Sequence, residues 1–187
     1  MTHRTARDVL VVVDVQEGFL NHHSRPVLPT LVRLLDTWTR AGRPLVLTRY
    51  LNHADSPFST LLDWTRLQAP PETDLASQVN AHADDAVAVI DKHGYSCCTD
   101  AFLTLVDRHG WTDTYFCGIA TESCVLKSAA DAFELGLVPR IITDASSSDA
   151  GARVHRAGLT VARRLIGAHH LVTTDQVCAR VDAEPSS

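Results

Sequence analysis

The run Thr114-Tyr115-Phe116-Cys117-Gly118-Ile119-Ala120-Thr121-Glu122-Ser123-Cys124-Val125 opens as an apolar strand over residues 114–119 and hands over to a helix-forming stretch, with Cys124 at the junction. A thiol at a helix start meets unpaired backbone N–H groups and the positive end of the helix dipole, which lower its pKa. The same N–H groups can hold an oxyanion. Free cysteine is more often a small buried hydrophobe, so a nucleophile needs partners. Two are present: Asp14 follows the apolar run 9–13 and Lys92 follows 86–90. Both therefore fall at the ends of buried strands, where open parallel sheets collect functional side chains. An acid, a base and a thiol are expected to converge.

Outward from this junction, short β-branched runs alternate with longer amphipathic stretches. Residues 9–15, 44–50, 86–91, 113–119, 138–143 and 170–173 read as strands. Residues 29–40, 99–109, 123–135 and 151–166 read as crossover helices. Gly42, Gly110, Gly136 and Gly167 stand where those helices end. Such alternation predicts an α/β fold: a three-layer α-β-α sandwich around a mostly parallel sheet. No Gly-x-Gly-x-x-Gly or Gly-x-x-x-x-Gly-Lys follows a strand, which argues against nucleotide binding. Residues 52–78, broken by Ser56-Pro57 and Ala69-Pro70-Pro71, are the least regular part and are expected to form a lid or pocket wall. There is no internal repeat or linker, so residues 1–187 read as a single domain, with 182–187 as a frayed tail.

Bulk properties narrow the function. With 187 residues, 45% of them hydrophobic, the chain can bury one sizeable core. A net charge of -5 and the absence of a basic run interleaved with aromatics exclude nucleic acid as an expected partner. The apolar stretch near the N-terminus is too short for a signal-peptide core or a membrane span. Five cysteines, two of them adjacent, make an odd and poorly spaced set for disulfides, which fits reduced thiols in the cytoplasm.

Asp14-Val15-Gln16, Lys92-His93-Gly94-Tyr95-Ser96, the segment 118–125, Asp131-Ala132 and Asp144-Ala145, in this order and spacing, resemble the isochorismatase-like cysteine hydrolases from about residue 9 to 172. The resemblance implies a six-stranded parallel sheet of order 3-2-1-4-5-6, Rossmann-like, and a catalytic triad falling on Asp14, Lys92 and Cys124. It also implies a cis peptide at Ile119–Ala120, an oxyanion hole formed by the N–H groups of Ala120 and Cys124, a supporting hydrogen bond from Gln16, and a homodimer or homotetramer. Nicotinamidases of this family carry an Asp-x-His metal site after the second strand. Here the corresponding positions are Tyr50 and Asn52, with a later histidine position near Phe58, leaving His53 as the usable ligand. Neither metal nor other cofactor is expected, and no nicotinamidase activity. Arg49, Asn52 and His53 are instead candidates for gripping a polar or carboxylate-bearing substrate. Phe19, Trp64 and Tyr95 are candidate pocket walls.

The reading that follows is a metal-independent hydrolase that opens a small amide, carbamoyl, ureido or lactam C–N bond through a thioester on Cys124. Its competitors are an enol-ether hydrolase using Asp14 as acid without a nucleophile, and a non-catalytic family member serving as a binding module.

Overall fold

The computed structural model describes residues 7–183. Six parallel strands form one sheet: β1 (Asp8–Val13), β2 (Leu45–Tyr50), β3 (Ala88–Lys92), β4 (Asp113–Ile119), β5 (Val138–Ser147) and β6 (Leu171–Val172). Their spatial order is β3-β2-β1-β4-β5-β6. The helices are α1 (Leu28–Arg40), two short ones, α2 (Pro57–Thr60) and α3 (Ser77–Asn80), then α4 (Asp100–His109), α5 (Leu126–Glu134), α6 (Ala152–Leu165) and α7 (Thr174–Ala183).

Strand β1, Asp-Val-Leu-Val-Val-Val, is buried along its whole length, because helices cover both faces of a parallel sheet and leave no polar alternation. Its side chains alternate between two separate apolar layers. Leu10 and Val12 pack with Leu31, Leu34, Leu35 and Trp38 of α1 and Val177 and Val181 of α7. Val9, Val11 and Val13 pack on the other face with Phe102 and Val106 of α4, Ala129 and Ala132 of α5, and Ala162 of α6. Each valine or leucine so buried contributes about 1.5–3 kcal/mol. Leu31, Leu34, Leu35 and Trp38 follow the three-to-four spacing that a single buried helix face requires.

Two stretches differ from the sequence reading. Residues 174–183 form α7, whose buried Val177, Cys178 and Val181 seal the α1 layer. Asp182 thus belongs to a helix, while residues 184–187 of the expected tail lie outside the described residues. The helix expected from 123 begins at Leu126, because residues Thr121–Val125 form a wider π-helical turn, a form found at functional sites. Among the described residues no helix is long and apolar enough to cross a membrane.

Candidate active site

The strand reversal between β1 and β4 opens a crevice at the carboxyl ends of the strands, the position at which open α/β sheets bind ligands. Asp14 follows β1, Lys92 is the last residue of β3, and Cys124 lies in the turn after β4. The three groups come from one sheet edge through its pairing. Val13 is in register with Gly118 and Tyr50 with Lys92.

Asp14 has a left-handed backbone, φ 51°, a conformation that aspartate and asparagine tolerate better than bulkier residues. Its side chain is fully buried and its Oδ1 accepts a 2.7 Å hydrogen bond from the Thr48 hydroxyl. Its Oδ2 lies 2.6 Å from the Lys92 ammonium. The ammonium also donates to the carbonyl oxygens of Gly94 at 2.9 Å and Tyr95 at 3.0 Å, which fixes it against the carboxylate. Nζ also sits 5.5 Å from the Tyr50 ring centroid, within cation–π range. Burial works against the Lys92 charge, but Asp14 and then Cys124 outweigh it, and its pKa is raised.

Cys124 is buried, and its thiol pKa is raised rather than lowered. Burial is the main cause and the Asp14 carboxylate adds to it, while Lys92 and Ser123 pull the other way. The expectation of a depressed thiol pKa at a helix start is therefore corrected: desolvation exceeds the helix-end effect. The resting pair is a thiol facing a carboxylate, an arrangement that suits proton transfer during attack.

The turn is fixed from several sides. The Ile119–Ala120 peptide is cis, and the amides of Ser123 and Val125 both donate to the carbonyl of Ala120 at 3.1 Å. Ser128 donates to the Cys124 carbonyl at 2.6 Å and accepts from the Cys97 amide at 2.9 Å, tying the nucleophile turn to the segment after β3. Gly118, with φ 117°, has no room for a side chain, since a Cβ would lie 2.2 Å from the Val13 carbonyl oxygen. Gly158 of α6 likewise abuts Glu122, where a Cβ would come 2.8 Å from its Cα.

Above the thiol is a pocket of about 310 Å³, at the small end of the range for small-molecule sites. Phe19, Tyr50, Phe58, Trp64 and Tyr95 supply its aromatic walls, with Leu62, Ser123, Cys124 and Asp149 completing the lining. Phe19, Trp64 and Tyr95 were expected there, and the loop 52–78 forms a wall through Phe58, Leu62 and Trp64. Gln16 supports the site through hydrogen bonds, as expected, while Arg49, Asn52 and His53 have tasks other than gripping a substrate. Gln16 is a buried latch, donating to the carbonyls of Tyr50 at 3.0 Å and Thr73 at 2.9 Å and accepting from the Tyr50 amide at 2.7 Å. Arg49 makes a bidentate ion pair with Asp91 at 2.7 and 2.9 Å on the outer sheet edge. It points away from the pocket because odd and even residues of β2 face opposite sides, Tyr50 taking the pocket side. Asn52 is consumed by the carbonyls of Trp64 and Arg66 at 3.0 and 2.9 Å. His53 packs edge-on against His93.

This arrangement does not fit a divalent metal after β2. Tyr50 donates its phenol to Asn52 at 3.1 Å, and burial raises its pKa further above its ordinary value, so the position of the missing aspartate carries no negative charge. Among the described residues no three His, Cys, Asp or Glu side chains gather to hold an ion.

Sequence reasoning missed Thr48, Ser128 and Asp149. Thr48 carried a signal, a hydroxyl within the apolar run Leu45–Tyr50, because a buried hydroxyl needs a partner. Asp149 carried none, as it reaches the pocket from the loop after β5.

A sequence profile of the isochorismatase domain matches residues 8–176, and the chain belongs to this family of hydrolases. It is 22% identical over 173 residues to nicotinamidase 3 of Arabidopsis thaliana, covering 90% of this chain and 85% of that protein. Among solved structures it resembles a cysteine hydrolase from Pseudomonas syringae pv. phaseolicola, with a TM-score of 0.83 and 20% identity over 95% of this chain and 93% of the other. It also resembles N-carbamoylsarcosine amidase from Thermoplasma acidophilum, with a TM-score of 0.77 and 19% identity over 90% and 96% of the two chains.

Proposed function

We propose that this hydrolase is a cysteine amidohydrolase that cleaves a C–N bond of a small amide, carbamoyl, ureido or lactam substrate without a metal, through a thioester on Cys124. The observation that carries the reading is the Asp14 Oδ2 atom, fully buried, 2.6 Å from the Lys92 ammonium, on a carboxylate that meets the Cys124 thiol. Such an atom is a poised proton acceptor.

In this mechanism the Cys124 sulfur attacks the acyl carbon as Asp14 takes the thiol proton. The carbonyl electron pair moves to oxygen, where the N–H groups of Ala120 and Cys124 hold the oxyanion. Collapse expels the amine, which leaves with the proton from Asp14, and a thioester remains. Water then attacks the thioester while Asp14 takes its proton. The second collapse releases a carboxylic acid and returns the proton to the sulfur. Lys92 holds the Asp14 carboxylate in place when the pocket is empty and balances charge when the sulfur is a thiolate. Family members with nicotinamidase and amidase names support the C–N bond as target. The five free cysteines support a reducing compartment such as the cytoplasm. Exposed Phe133, Leu135, Val161 and Leu165 support a homodimer or homotetramer, which light scattering after gel filtration would establish.

The deciding experiment measures ammonia release from a panel of small amides by the wild type and Cys124→Ala, with intact-protein mass spectrometry on the quenched reaction. Release that disappears in Cys124→Ala, with an acyl adduct on the wild type, supports the reading. Ammonia release that survives in Cys124→Ala overturns the thioester route, and cleavage of an enol ether equally by wild type and Cys124→Ala, with no amide hydrolysed, favours enol-ether chemistry with Asp14 as acid. Inactivity of the wild type toward every amide, with Cys124 unreactive to alkylation, favours the non-catalytic reading.

A further inference from the structure

Resting on the amidohydrolase reading, we infer that the substrate carries a positively charged nitrogen, an ammonium or quaternary ammonium, which the aromatic walls and Asp149 receive while the scissile carbonyl meets Cys124.

Five of the nine residues lining the pocket are aromatic, and their rings form one connected wall. Phe19 stacks on Trp64 with centroids 6.0 Å apart, Trp64 lies 5.9 Å from Tyr50, Tyr50 meets Phe58 edge-on at 5.0 Å, and Phe58 meets Tyr95 edge-on at 4.8 Å. Aromatic rings attract cations, and five of them in one lining give a cation several partners. Apolar walls alone would serve a neutral ring as well, so the charged groups decide.

Asp149 is the acidic residue in the lining, and among the described residues its side chain has no ion-pair or hydrogen-bond partner. Its backbone is nevertheless held: Asn21 donates to its carbonyl oxygen at 2.8 Å. The neighbouring Ser148 hydroxyl donates to Glu122 at 2.7 Å and accepts from the Ala150 amide at 3.1 Å. An unpaired carboxylate on a pinned loop is preorganised for an incoming cation.

None of the lining residues is a lysine or arginine, and the basic groups behind the walls are paired. Lys92 lies behind Tyr50 with a fully buried side chain, paired with Asp14. Arg49 pairs with Asp91, and Arg66 pairs with Glu72 while donating to the Gly18 carbonyl. A substrate carboxylate would thus enter a pocket with no positive partner and one negative neighbour. This reverses the expectation that Arg49 grips a carboxylate.

The test uses a matched pair of amides of equal shape, trimethylammonioacetamide and its neutral carbon isostere 3,3-dimethylbutanamide. Their binding is measured by calorimetry on the Cys124→Ala variant and their ammonia release on the wild type. The cation is expected to bind at least tenfold tighter, with the ratio falling severalfold in Asp149→Asn and in Trp64→Leu. Equal or tighter binding of the neutral amide, or no measurable binding of the cation, overturns the inference whatever the turnover. Tight, Asp149-dependent binding of the cation without its hydrolysis by the wild type would leave the charge preference standing, and the amidohydrolase reading would then fall only if the wider amide panel also gave no ammonia.

Discussion

Replacing Lys92 with methionine should cost more stability than replacing Asp14 with asparagine, and the two changes together should cost less than Lys92→Met alone. The pair is fully buried with its charges 2.6 Å apart, which at an effective dielectric of about 20 corresponds to roughly 6 kcal/mol of attraction. Breaking such a pair from one side costs about 3–5 kcal/mol, because the remaining charge stays buried without its partner. The two sides are unequal. An ammonium left by Asp14→Asn keeps the carbonyls of Gly94 and Tyr95 and the Tyr50 ring. A carboxylate left by Lys92→Met keeps the side-chain hydrogen bond from Thr48. Asparagine also tolerates the left-handed backbone at position 14, so that variant adds no strain. We expect a loss near 4 kcal/mol for Lys92→Met, about half that for Asp14→Asn, and recovery of roughly 2 kcal/mol in the double variant relative to Lys92→Met. Urea unfolding followed by tryptophan fluorescence at pH 7 measures all four corners of the cycle. A cost below 1 kcal/mol for Lys92→Met, or a double variant less stable than Lys92→Met, would refute the reasoning.

Three further outcomes are expected. Gly118→Ala places a methyl 1.2 Å inside the 3.4 Å limit of ordinary contact with the Val13 carbonyl oxygen. Both atoms belong to rigid strands next to Asp14, so amide hydrolysis should fall about 100-fold, readable in kcat/KM, whereas a variant within threefold of wild type would contradict this packing. Gln16→Leu strips partners from the Tyr50 amide and the carbonyls of Tyr50 and Thr73, at about 1–3 kcal/mol each. Limited proteolysis should then cut within residues 52–78 much faster than in the wild type. The thiols of Cys97, Cys117 and Cys124 all have raised pKa values in the folded chain, chiefly through burial. Below pH 9 they are protonated in both states, and above it the unfolded chain ionises first, so stability falls as pH rises at about 1.4 kcal/mol per pH unit for each thiol. Cys117→Ala should therefore show a shallower decline between pH 9 and 10.5 in urea midpoints, and an unchanged slope would mean that this thiol ionises in place.

How far the sequence reached depends on what each residue answers to. Strands β1, β2 and β4 were legible because central strands of a parallel sheet, covered on both faces, demand unbroken apolar runs, and Asp14 and Lys92 stood out as charges ending apolar runs. Helix α7 was not, since its pattern of Val177, Cys178 and Val181 is short and its polar face is close to the composition of a tail. Arg49 and Asn52 were misread for a common reason. Their side chains answer to Asp91 and to the carbonyls of Trp64 and Arg66, partners that only the folded loop brings near. Asp149 shows the reverse case, a loop residue whose significance rests on what surrounds it in space.

The glycine contacts at the back of the site divide the molecule by how freely it can vary. Gly118 against Val13, and Gly158 against Glu122, leave room for a hydrogen atom and nothing larger, so the seam behind the thiol admits almost no change in sequence. Phe58, on the short helix α2, and Leu62, Trp64 and Asp149, on loops, lie beyond that seam. Substitutions there can redraw the pocket without disturbing the reacting groups. A lineage built on this chain can change its diet while keeping its chemistry, and a laboratory library aimed at new substrates should be confined to those four positions.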